Sequence, residues 1–149
     1  MLIGIPPVLG PELLAILRAM GHGDEIAIVD GNYPAAEDAR RLVRADGHGA
    51  VAMLDAILAV LPVDDFVPEA LLRASVKGDP ALPADPVHRE MEQVCARRAP
   101  GRKVVALAGA DFYARVKAAH AVVATSEPRL YGNIIVRKGV IRLEGSETP

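Results

Sequence analysis

The chain has 149 residues, enough for one domain with a sizeable core. Half of it is apolar, yet Phe66, Phe112, Tyr33, Tyr113 and Tyr131 are its only aromatic residues, so Leu, Ile, Val and Ala must build that core. A net charge of −2 with scattered Lys and Arg argues against nucleic-acid binding, and no apolar run approaches the ~18 residues that span a bilayer.

Cys95 is the only cysteine, which excludes an internal disulfide and suits a reducing compartment. Inside a helical pattern a lone Cys reads as a small buried apolar residue. The opening Met1-Leu2-Ile3-Gly4-Ile5-Pro6-Pro7 has no basic region leading into a signal-length apolar core, so a cytoplasmic location is expected. The apolar excess fits either a large core or surface buried between subunits.

The first predicted helix begins at Pro11-Glu12, where Pro suits the first turn and Glu the positive end of the dipole. Leu13, Ile16, Leu17 and Met20 form its apolar face, and Gly21 is expected to end it. Residues 25–29 read as a short strand, and Asp30-Gly31-Asn32 as a turn. Residues 35–43 suggest a short helix, and 50–61 a better one stopped by Pro62. A strand is expected at 70–76, a charged helix at 83–98 and a strand at 104–108. A helix at 110–119 and strands at 121–124 and 134–136 follow. This alternation predicts a three-layer α/β/α sandwich on a central, largely parallel mixed sheet, with residues 1–142 as one domain and 143–149 as a loose tail. Ligands of such folds sit beyond the carboxyl ends of strands, where Asp30 and Gly109 are expected.

The sharpest local feature is His22, set between Gly21 and Gly23 just before the first strand. An imidazole in such a corner can give and take a proton near neutral pH. The competing reading is a surface imidazolium at a helix C-terminus, worth ~0.3–1 kcal/mol. The pair Gly21-x-Gly23 is not a dinucleotide fingerprint, because it ends a helix and precedes a strand. Asp30 offers a carboxylate for several hydroxyls, or simply starts a turn. His22 and Asp30 thus flank one strand at neighbouring bends, read as parts of one proton-moving, polyol-binding site. No second His or Cys stands at a ligand-like interval from His22, Asp24, Glu25 and Asp30, so no zinc site is expected. Tyr131-Gly132-Asn133 precedes the last strand and sets a phenol beside a carboxamide, although Gly-Asn is also ordinary turn chemistry. Phe112-Tyr113 reads as core and rim packing, His88 on its charged helix as solvated, and His48 and His120 as weaker candidates than His22.

Taken together these pieces resemble the RbsD/FucU family of sugar mutarotases, in its L-fucose branch. The resemblance is carried by Ile5, Pro11-Glu12-Leu13-Leu14, Met20-Gly21-His22-Gly23-Asp24-Glu25-Ile26 and Asp30. It continues through Arg44-Ala45-Asp46-Gly47, Gly78-Asp79, Phe112-Tyr113, Gly132-Asn133-Ile134-Ile135 and Lys138-Gly139-Val140, and so covers nearly the whole chain. It implies an isomerase that interconverts the cyclic forms of a free monosaccharide, with no metal or organic cofactor. It further implies His22 as the proton donor, and Asp30, Tyr131, Gly132 and Asn133 as substrate contacts. A ring-like homo-oligomer is implied as well, with sites at subunit boundaries and the Tyr-Gly-Asn segment able to come from a neighbour. D-ribose pyranase activity, or monosaccharide binding without catalysis, are the alternatives on the same scaffold. The chain departs from the pattern at Gly109, where fucose-type members carry Arg and ribose-type members His, leaving Asp111 or Arg115 as the nearest substitutes.

Overall fold

In the computed structural model, which describes residues 1–143, strands and helices alternate along the chain. Residues 144–149, most of the expected tail, lie outside the described residues. The elements are α1 (Pro11–Ala19), β1 (Glu25–Val29), α2 (Ala35–Asp38), β2 (Leu42–Ala45), α3 (Ala50–Leu58), β3 (Leu71–Ala74), a 3₁₀ turn (Val76–Gly78), α4 (Pro86–Arg98), β4 (Val104–Leu107), α5 (Gly109–Ala118), β5 (Ala121–Thr125) and β6 (Ile134–Arg137). Among the described residues, no helix is long and apolar enough to cross a membrane.

One six-stranded sheet runs in the order β2-β5-β1-β6-β3-β4. The pairs β2/β5, β5/β1 and β3/β4 are parallel, while β6 runs antiparallel between β1 and β3. The central strands β1, β5 and β6 are apolar along almost their whole length because both faces are covered. On one face Ile26, Ile28 and Ile134 meet Leu13 and Leu17 of α1, Leu54 and Ile57 of α3 and Met91 of α4. On the other, Ala27, Val29 and Ile135 meet Ala35 of α2 and Phe112 and Val116 of α5. Cys95 is fully buried in the first of these layers.

Two local expectations are corrected. Residues 35–43 are not one helix: α2 stops after Asp38, Ala39 is extended, and Leu42–Ala45 becomes the edge strand β2. The open edge of β5 supplies the reason, since it takes Leu42 through Ala45 in parallel register with Val122 through Thr125. Gly21 is not the left-handed residue after α1. That conformation falls on Gly23 at φ +85°, and Met20 is already extended.

The direction of β6 matters most for the site. Its register sets Ile134 opposite Ile28 and Arg137 opposite Glu25. Its entry therefore lies at the carboxyl end of β1, beside Asp30, and its exit at the amino end, beside His22.

Candidate active site

At the carboxyl end of β1, Asp30 and Asn133 hold each other. The Asp30 amide donates to Asn133 Oδ1 at 2.7 Å, and Asn133 Nδ2 donates to Asp30 Oδ2 at 3.0 Å. Asp30 Oδ1 accepts from the Asn32 amide at 2.9 Å, which shapes the turn after the strand. Both side chains are buried with one rim toward solvent, so spare lone pairs and one amide hydrogen remain for a ligand. Tyr131 stands before them at φ +61°, a conformation that non-glycine residues seldom adopt. Its carbonyl accepts from the Asn133 amide at 2.7 Å and from His88 Nε2 at 2.8 Å.

A small half-open cavity of about 150 Å³ results, walled by Asp30, Asn32, Tyr33, Tyr113, Tyr131 and Asn133, with Leu130 at its rim. Tyr33 and Tyr113 stack at 5.1 Å with 19° between their planes and form its aromatic side. Burial raises the Tyr33 phenol above its ordinary value, and the hydrogen bond it donates to Asp38 at 2.8 Å raises it further, so it stays protonated.

At the amino end of β1, residues 21–24 make a tight turn with His22 at its apex. The Asp24 amide donates to the Gly21 carbonyl, and the Gly21 amide to Asp24 Oδ2 at 2.8 Å. Gly23 takes the third position with positive φ, where a turn of this kind favours glycine. An added Cβ there would meet Arg137 at 3.0 Å. The Lys138 ammonium donates to the carbonyls of Leu17 and Met20 and fixes the helix end that feeds the turn. The half-exposed His22 ring reaches Asp64 Oδ1 with Nε2 at 3.1 Å and packs against Phe66 at 4.9 Å between centroids.

Asp64 is itself fully buried. Burial pushes its carboxyl up, but the Phe66 amide, the Arg137 guanidinium and His22 outweigh that and hold it below its ordinary value. Phe66 donates at 3.0 Å and Arg137 Nε at 2.8 Å.

Of the residues expected in the site, Asp30, Tyr131 and Asn133 therefore come together, and His22 does not join them within one chain. The bends at the two ends of β1 are not neighbours, because the strand between them is extended. Its residues alone separate Glu25 from Asp30 by about 17 Å at ~3.3 Å each. Gly132 is buried behind the wall: an added Cβ would stand 2.9 Å from Glu127 Cγ and 3.2 Å from the Arg129 carbonyl, so its place is set by space.

Neither substitute suggested for Gly109 lines the cavity. Arg115 is held by Glu25 at 2.7 to 3.2 Å, on the wall of a separate cavity of about 400 Å³ shared with Arg40, Arg41 and Arg137. Asp111 is exposed on the first turn of α5. Gly109 faces Gly78 so closely that a Cβ would lie 3.2 Å from the Gly78 Cα, and a side chain there would force the 3₁₀ turn back by a few tenths of an ångström.

Four residues of the site escaped the sequence reading. Tyr33 carries no motif, and Tyr113, though part of the Phe112-Tyr113 pair, reads from the sequence as rim packing rather than as a wall of the site. Asp64 sits in an irregular Asp-Asp pair. His88 is not solvated but fully buried: its Nδ1 accepts from the Asp85 amide at 3.1 Å while Nε2 holds the Tyr131 carbonyl. Among the described residues, no group of three His, Cys, Asp or Glu could hold a metal ion.

Residues 3–141 match the RbsD / FucU transport protein family. The chain belongs to the RbsD/FucU family. Fucose mutarotase from Homo sapiens is 42% identical over 145 residues, 94% of this chain and 94% of its own length. Among solved structures, the fucose mutarotase from Streptococcus pneumoniae in complex with L-fucose superposes with a TM-score of 0.87 at 37% identity, covering 95% of this chain and 100% of that one. Bacillus subtilis RbsD complexed with D-ribose shares the RbsD/FucU fold at a TM-score of 0.69 and 20% identity, over 90% of this chain and 95% of that one.

Proposed function

We propose that this chain is a sugar mutarotase that interconverts the α and β anomers of L-fucose or a closely related free monosaccharide. Mutarotation protonates the ring oxygen while the anomeric hydroxyl loses its proton. The opened aldehyde turns and closes on its other face. The reaction runs unaided in water, so one placed acid–base group, worth about 10²–10⁴-fold, is enough. His22 is that group in our reading. Asp30, Tyr131 and Asn133 hold the hydroxyls, the Gly132 backbone spaces them, and the Tyr33–Tyr113 stack offers an apolar face to the ring carbons. The whole-chain likeness to fucose mutarotases carries this reading.

Because His22 and the Asp30 cavity occupy opposite ends of β1, one sugar needs them from two copies of the chain. We therefore propose a ring-like homo-oligomer whose sites are completed across subunit boundaries. Its support is the exposed apolar surface of Met1, Leu2, Ile3, Phe66 and Ile141, which a lone protomer would leave in water. A cytoplasmic location is part of the same proposal, supported by the single free Cys95.

Saturation-transfer NMR tests the activity. Exchange between the anomer lines of L-fucose should quicken with the wild type and return to the buffer rate with His22→Ala. Saturable binding without faster exchange would mean a binding protein, and acceleration of D-ribose alone would move the substrate to the ribose branch.

A further inference from the structure

We infer that Asp64 is a positioning residue for His22, fixing the imidazole as its Nε2–H tautomer so that Nδ1 is the atom that exchanges protons with the sugar. The inference rests on His22 as the proton carrier and adds which nitrogen acts and what holds it. Asp64 Oδ1 accepts from the Phe66 amide and Oδ2 from Arg137 Nε, and the carboxylate is fully buried between them. An ionised carboxylate has no hydrogen to give. The proton in its 3.1 Å bond to His22 Nε2 therefore belongs to the ring. A neutral imidazole carries one N–H, so Nδ1 is left with its lone pair, and Nδ1 makes no hydrogen bond among the described residues.

The surroundings fit a holder rather than a chance contact. The 63–66 segment is tied to the end of β6 by the Val63–Lys138 bridge and by the Asp64 amide, which donates to the Arg137 carbonyl at 3.0 Å. The same segment supplies Phe66, whose ring lies against the imidazole and whose other neighbour is Arg142, 5.1 Å from its centroid. When Nδ1 takes the anomeric proton, the imidazolium formed is paired at Nε2 with a carboxylate already ionised. When Nδ1 returns a proton to the ring oxygen, the ring goes back to its starting tautomer. Proton count is conserved over the cycle, and Asp64 is never protonated.

Nitrogen-15 NMR of histidine-labelled wild-type protein reads the tautomer directly. We expect His22 to show a protonated-type Nε2 and an unprotonated-type Nδ1 at neutral pH; the reverse assignment overturns the inference. Asp64→Asn should lower the maximal exchange rate by at least about tenfold, as wrong-tautomer variants of histidine–aspartate pairs do, with little change in KM. The His22 signals should shift toward the Nδ1–H form, and Asp64→Glu should recover part of the rate. An Asp64→Asn protein with full activity, or one that loses activity with its His22 tautomer unchanged, also sinks the inference. Should that variant not fold, the wild-type spectrum decides alone. Wild-type protein that binds L-fucose without speeding anomer exchange would instead remove the mutarotase reading itself, and an active His22→Ala protein would remove His22 as the proton carrier, which keeps the failures apart.

Discussion

Asn133 closes a two-way clamp on Asp30, taking its amide hydrogen and giving one back to its carboxylate. Both residues are buried, so neither group finds water if the clamp is cut. Asn133→Ala should therefore cost about 1–3 kcal/mol of stability in urea unfolding, the desolvation penalty of a buried amide left unpaired. It should also weaken fucose binding, because Asp30 is then free to turn away from the cavity. Tyr131 shows the same logic in the backbone. Its left-handed φ is tolerated because His88 and the Asn133 amide both hold its carbonyl.

At the scale of elements, α4 does more than cover the sheet. Its first turn places His88 with the Asp85 amide on one nitrogen and the Tyr131 carbonyl on the other, a pattern open only to the neutral Nε2–H ring. Burial pushes the His88 imidazole below its ordinary value of 6.5, with the nearby Arg73 adding to the effect against the opposing pull of Tyr131, Asp85 and Glu92. The folded state then takes up its proton at lower pH than the unfolded state does. The stability this gives is complete above about pH 6.5 and is lost as pH falls below it. Thermal unfolding should show Tm declining from about pH 6.5 downward, and His88→Gln should flatten that part of the profile. An unchanged slope in the variant would place the acid sensitivity elsewhere.

For the whole molecule, β1 is the spacer between the His22 turn at its amino end and the Asp30–Asn133 cavity at its carboxyl end. The strand is buried on both faces and cannot bend to bring the two together. The ring-like assembly proposed above makes a quantitative expectation. His22→Ala and Asn133→Ala should each be inactive alone. Oligomers formed from equal amounts of the two should recover about a quarter of wild-type activity, since in a head-to-tail ring one site in four pairs an intact His22 with an intact cavity. No recovery after verified subunit mixing would mean that each chain completes its own site.

Periodicity and turn chemistry are local, so the sequence alone was enough for β1, α1, α3, α5 and the alternation that defines the three layers. Turn chemistry also pointed to three groups that the fold gathers around one cavity, the Asp30 carboxylate and the Tyr131 phenol beside the Asn133 carboxamide. The edge strand β2 was not legible, because only two of its four residues are buried and its partner lies some eighty positions away. Asp64 and His88 were missed for a related reason. A polar side chain in a loop or on a charged helix reads as solvated until the fold brings Arg137 or Tyr131 to meet it. The separation of His22 from Asp30 was decided in the same way. Eight positions apart they pass for neighbours, and only the tertiary structure, by pairing the strand between them on both edges and covering both its faces, holds that stretch extended and keeps its two ends apart.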